Sequence, residues 1–216
     1  MDVITDNLGL YADGLLGTVK ICVLAAVLAL LLGIILAGFR VSPVPPLRAV
    51  GTAYVTLARN CPLTIVLFAF AFGLPEVGIN GAYITFGVAG LTAYTAAFVC
   101  EAVRSGINAV DAGQAEAARA IGLTFSQSLR LVVLPQALRT VLPPLGSVTI
   151  AMIKNSAILG AFGVGGDLYS VANTLNSARG EAALPVYTGV VIGYLIIIIP
   201  AGLLLLAAEK RLKVGR

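Results

Sequence analysis

From Leu15 to Phe39 the chain carries a single charged residue, Lys20. A helix satisfies its own backbone polar groups, and crossing the hydrocarbon core takes about 20 residues, so a stretch like this reads as a membrane span. Ala82–Val103, Val141–Leu159 and Leu184–Ala208 have the same character, and a fifth run, Ala49–Gly73, is interrupted by Arg59-Asn60-Cys61-Pro62. Only 11% of the 216 residues are charged and 59% are apolar, whereas soluble domains carry about 25% charge. The expected fold class is therefore an all-α membrane protein of five transmembrane helices, forming one domain over residues 1–216. The first run is not expected to be a cleaved leader: Asp2, Asp6 and Asp13 precede it without any Lys or Arg, and the run is too long for a leader's apolar core.

Basic residues concentrate beside spans on the cytoplasmic side. With the N-terminus outside, the inner segments hold Arg40, Arg48, Arg104, Arg119, Arg130, Arg139, Lys210, Arg211, Lys213 and Arg216, and the outer segments hold only Arg179. The expected topology is N-terminus out and C-terminus cytoplasmic, with residues 105–139 forming a long inner loop. The net charge of +4 is then an inner belt facing anionic lipid. Nucleic acid is not an expected partner, because no aromatic interleaving accompanies the charge.

Several chemistries are poorly supplied. There is no His, the commonest general base and metal ligand. Cys22, Cys61 and Cys100 show no paired metal or disulfide spacing, and no metal site is expected. Glu101 has no second in-span carboxylate to make an intramembrane hydrolase. Gly163-Val164-Gly165-Gly166 lacks the lysine of a phosphate-binding loop. No catalytic residue and no bound cofactor are expected in this chain.

The inner loop carries two local helix signatures. Asp111 with Gln114, and Thr124 with Gln127, have capping-box spacing; Gly122 is placed to end the first helix, over Ala112–Ile121, and Pro135 to limit the second. Phe125, Leu129, Val132 and Val133 share one face of that second helix. On residues alone, such an element suits docking onto another protein or lying in the headgroups as a connector.

Glu116-Ala117-Ala118, then Gly122, then Val132-Val133-Leu134-Pro135 resembles the EAA loop of ABC importer permeases, with Val132 where that pattern has Ile. The resemblance implies the type I importer permease fold, with the loop between the third and fourth helices inserted into a cytosolic ATPase. It also implies ATP bound and hydrolysed by that partner alone, and coupling through Glu116, Ala117, Ala118, Gly122 and Pro135. A second permease subunit, as paralogue or second copy, and an extracytoplasmic amino-acid-binding protein complete the implied assembly, in a bacterial plasma membrane. A passive channel or secondary carrier would leave the loop unexplained.

Charge inside a span is costly, about 2.5–3.5 kcal/mol on insertion scales, and marks candidate sites. Lys154 either snorkels outward or meets an anionic group, with Asn155 and Ser156 adding neutral hydrogen bonds. Arg59 either pairs structurally with carbonyls or Glu101, or contacts ligand. Glu101 has Arg104 at i+3 as a partner. Lys154-Asn155-Ser156, with Phe162-Gly163-Val164-Gly165 after it, resembles the corresponding stretch of polar amino-acid permeases of the histidine, glutamine and glutamate type. Relatives handling cationic amino acids place an acidic residue where Asn155 stands. The resemblance therefore implies a carboxylate or amide substrate, glutamate first, with glutamine and aspartate as alternatives, bound by Lys154, Asn155, Ser156 and Arg59. Arg40-Val41-Ser42-Pro43, Arg59-Asn60-Cys61-Pro62 and Arg104-Ser105-Gly106 look most like actinobacterial glutamate permease subunits.

Overall fold

The computed structural model describes residues 2–213, leaving Arg216 and the side chain of Lys213 outside the described residues. After a short α1 (Asp2–Thr5), α2 runs over Leu8–Val41. Three further long helices follow: α6 (Tyr83–Asn108), α9 (Leu134–Ala161) and α11 (Ala183–Lys213). Each of the four meets the length and apolarity needed to cross a membrane. Each runs past its apolar stretch at one end or both, α9 doing so although Pro143 and Pro144 lie inside it. In α2 the helix continues to Val41 and stops where Ser42-Pro43 turns the chain extended.

The centre of the bundle is a close approach of α2 and α6. Ala25, Ala29, Gly33 and Ala37 recur every fourth residue on one stripe of α2, and the three alanines are wholly buried. Ala96, Ala97 and Cys100 of α6 pack there. Between spans lipid supplies no hydrophobic drive, so contact comes from small residues that let backbones meet. A side chain at Gly33 would collide with Val99 of α6, and one at Gly106 with Val141 of α9. Leu67, Leu91, Met152, Ile153 and Leu159 fill the adjoining core.

The interrupted fifth run is not one straight span. It forms α3 (Pro45–Asn60) and α4 (Leu63–Phe68), the latter prolonged by a π-helical turn over Ala69–Gly73 and by α5 (Leu74–Glu76). The two halves meet at 108°. The 16 residues of α3 span about 24 Å at 1.5 Å per residue, short of a 30 Å core, so neither half crosses alone. Pro62 causes the break: its ring excludes the helical conformation from Cys61, which is extended at ψ 135°. Tyr54 anchors α3 to α6 by donating to the Ala93 carbonyl at 2.7 Å.

The far end of the bundle is closed by the segment after α9. A glycine turn leads to α10 (Leu168–Asn173) and a π-helical turn over Thr174–Ala178. Leu168, Val171 and Leu175 are buried on one stripe, as their spacing requires, against Tyr11 of α2 and Val186 and Val190 of α11. Asp167 caps α10, accepting from the Tyr169 and Ser170 amides at 3.1 and 3.3 Å. Burial pushes its carboxyl above the ordinary value of 3.8. Gly17 is required here, because any side chain would overlap the Gly166 carbonyl. Arg179 donates to Asn7 at 2.6 Å, tying the segment to the chain's start.

Candidate functional site: a groove beside a charge cluster, and a projecting loop

A groove of about 300 Å³ runs between α6 and α9, lined by Tyr94, Thr95 and Phe98 on one side and Ser147, Val148, Ala151, Met152 and Asn155 on the other. These positions follow helical spacing, so each helix lends one stripe. None of the lining residues carries a charge, and Asn155 supplies both amide donors and a carbonyl acceptor. Arg59 stands beside the groove: its guanidinium lies over the Phe98 ring, 5.6 Å from the centroid, within the range of cation–π attraction.

Lys154, Asn155 and Ser156 do not converge. Successive helical residues are turned about 100° apart, and the three side chains go to three places. Asn155 lines the groove, whereas Lys154 is exposed on another face. Ser156 is buried in the bundle, with its hydroxyl donating to the Ile153 carbonyl at 2.7 Å. Of the three, Asn155 is the one that lines the groove.

Glu101 is the hub of a larger cluster than its sequence neighbour suggests. Arg104 donates to Oε2 at 2.9 Å, Arg40 from the end of α2 pairs with Oε1, and Arg59 lies 3.6 Å from Oε1. One carboxylate therefore gathers three guanidiniums from α2, α3 and α6. Its two direct partners leave Arg59, 45% exposed, the least committed of the three. Arg40 escaped sequence reasoning because 61 residues separate it from Glu101, and no periodicity reports such a contact. The Tyr94, Phe98 and Ser147 walls were likewise unforeseen; their only signal was helical spacing relative to Asn155 and Glu101.

The loop between α6 and α9 contains α7 (Ala112–Ala120) and α8 (Phe125–Ser128). The Thr124–Gln127 capping box is formed in both directions. Asp111 caps α7 through the Gly113 amide at 2.7 Å, so the expected pairing with Gln114 is replaced by a shorter one. Gly122 ends α7 at φ +89°, with the Gly122 and Leu123 amides donating to Arg119 and Ala118 carbonyls, a Schellman-type closure. Glu116, Ala117 and Gly122 are exposed, whereas Ala118 is 4% exposed and faces the protein's own interior.

Pro135 does not limit the second helix. The chain passes from α8 through a π-helical turn over Leu129–Val133 straight into α9. Proline lacks the amide that would bond four residues back and its ring crowds that carbonyl. The widened turn absorbs both problems, with the Leu134 amide donating to the Leu129 carbonyl.

Residues 29–213 match the family described as the inner membrane component of binding-protein-dependent transport systems. The chain belongs to that family. It is 39% identical to a probable glutamine ABC transporter permease of Bacillus subtilis (strain 168), over 99% of this chain and 98% of that one. It is 37% identical to a glutamate transport system permease of Corynebacterium glutamicum, over 92% of each. A crystal structure of an amino acid ABC transporter with histidines superposes at TM-score 0.89 and 33% identity, covering 97% of both chains. A methionine ABC transporter in inward-facing conformation shares the fold at TM-score 0.79 and 22% identity. The chain is thus a multi-pass ABC permease subunit of the polar amino-acid type, with the type I importer fold. It is a transport subunit rather than an enzyme, and the ATPase is a separate subunit.

Proposed function

We propose that this permease imports an acidic or amide amino acid, glutamate first, delivered by an extracytoplasmic binding protein and driven by a cytosolic ATPase dimer. The observation that carries the substrate reading is the uncharged α6–α9 groove with Asn155 in its wall and Arg59 over Phe98 at its side. A cationic side chain would find no carboxylate in that groove. A substrate carboxylate would find the one guanidinium that Glu101 does not hold directly, and Asn155 hydrogen-bonds either a carboxylate or an amide tip.

The single-domain chain sits with its N-terminus outside and its C-terminus cytoplasmic. A second permease subunit, paralogue or copy, completes the pathway opposite the groove. Glu116, Ala117 and Gly122 meet the ATPase on the exposed side of the loop, with Ala118 and Pro135 shaping it from within. Lys154, exposed on its own face, is open to that second subunit or to the outer interface.

Uptake by the complex reconstituted with saturating binding protein tests the reading. Asn155→Asp sets a carboxylate in the groove and is expected to lower glutamate uptake while raising relative uptake of neutral or cationic amino acids. Losing a charge-assisted hydrogen bond through Arg59→Gln costs about 1.5–3 kcal/mol, roughly 10- to 150-fold in affinity. Parental glutamate uptake by both variants would place the substrate elsewhere, with Lys154 the next candidate.

A further inference from the structure

We infer that a second cavity, beneath α7, is a binding site for a free zwitterionic amino acid that reaches it from the loop-bearing face. The cavity measures about 240 Å³ and lies between the end of α6, the inner side of α7 and the α8 turn. That is room for about eight waters at roughly 30 Å³ each, enough for one amino acid. Its floor holds Ser128, 4% exposed, whose hydroxyl is buried without a partner. A serine within a helix ordinarily bonds back to the preceding turn, and a buried polar atom left open calls for a water or a ligand.

The walls are largely apolar, from Val41, Ile107, Phe125 and Leu129, with the neutral Asn108 among them, and Asp111 and Arg119 are the two charged residues that line the cavity. Neither takes part in an ion pair among the described residues, and Asp111 uses only Oδ1 to cap α7. One acid and one base around an apolar cavity carry no net charge, which disfavours a phosphate or a polyamine. The pair matches an α-ammonium and an α-carboxylate, and Ser128 below meets an amide or carboxyl tip. L-glutamine and L-glutamate have this chemistry.

The position gives the site a consequence. The side of α7 bearing Ala112, Ala115 and Arg119 roofs the cavity, and the exposed Glu116 stands next to that side, one turn before Arg119. A ligand held between α7 and α8 fixes the loop and slows ATP-coupled import as product accumulates. This feedback step rests on the transport reading above; the binding site does not.

Hydrogen exchange on the reconstituted permease–ATPase complex, with L-glutamine or L-glutamate on the loop-bearing face, reads the site. Amides within 107–133 are expected to exchange at least several-fold more slowly with one of the two, and ATP hydrolysis to fall several-fold. Arg119→Gln and the cavity-filling Ser128→Leu are expected to abolish the slowing. Ser128→Ala, which retains the fold should leucine disturb the α8 turn, is expected to weaken it. No slowing with either amino acid, or equal slowing in all three variants, overturns the site. Slowing without a fall in ATP hydrolysis overturns the feedback step. Exchange over 147–155 reports the groove separately, so failure there sinks the substrate reading and leaves this site standing.

Discussion

The three guanidiniums on Glu101 are held unequally, and the inequality is measurable. Arg40 and Arg104 hydrogen-bond the carboxylate, while Arg59 is 3.6 Å away and 45% exposed. Hydrogen bonds to charged groups are worth about 1.5–3 kcal/mol each. Arg40→Ala is therefore expected to lower the unfolding temperature in mild detergent well beyond Arg59→Ala, and Glu101→Gln beyond either. Equal losses for the two arginines would refute this hierarchy. A pH test applies at Asp167. Burial raises its folded-state carboxyl above 3.8, so its contribution to stability is full below that value and is lost as pH rises through the folded value. Asp167→Asn keeps a cap acceptor but cannot ionise. Apart from a constant offset for the lost second acceptor, the variant should gain on the parent as pH rises from about 4 through the folded value, then hold level. A parent that gains on the variant over that range would reverse the sign. At this scale sequence showed which residues were anomalous, an in-span Arg59, Glu101, Lys154 and Asn155, but not how they group. Grouping depends on helix rotation and on contacts 61 residues apart, as between Arg40 and Glu101.

Elements were more legible, because caps and turns are local chemistry. The Thr124–Gln127 box and the left-handed Gly122 stood in the sequence and stand in the structure. Pro135 misled because a proline's cost depends on whether the helix can widen around it, and the turn over Leu129–Val133 does so. The Ala25-Ala29-Gly33-Ala37 stripe takes its meaning from the packing of α6 onto it, which hydropathy alone does not report. Gly33→Leu should therefore abolish accumulation of folded protein, since Val99 occupies the space, whereas Gly38→Leu, with nothing within contact distance, should accumulate normally. Coupling is tested in the loop. Gly122→Leu imposes a side chain on φ +89°, and strain in such a region costs about 1–3 kcal/mol. Open space surrounds that position, so the bundle should still assemble while ATPase co-purification and uptake fall. Glu116→Lys should insert normally and lose both. Parental uptake by the two variants would detach this loop from coupling.

Across the whole molecule, the broken second segment and the charge asymmetry raise the same question of which end faces which side. Five apolar runs were legible as composition, but the 108° bend between α3 and α4 turns on one proline and the packing of Tyr54, which no hydropathy pattern carries. Orientation is accessible to labelling. Single cysteines in a background lacking Cys22, Cys61 and Cys100 report the side directly. Gly9 and Thr174 are suitable at the far end, the former with open space around a would-be side chain and both exposed. Ala117 and Ile121 suit the loop, because both are exposed, whereas Ala118 is too buried to react. If Lys and Arg set the topology, an impermeant thiol reagent added to intact cells labels positions 9 and 174, and reaches 117 and 121 only after the membrane is opened. Labelling of 117 from outside would invert the chain, placing the α7 loop beyond the reach of any cytosolic ATPase and leaving the cavity beneath α7 facing the outer medium.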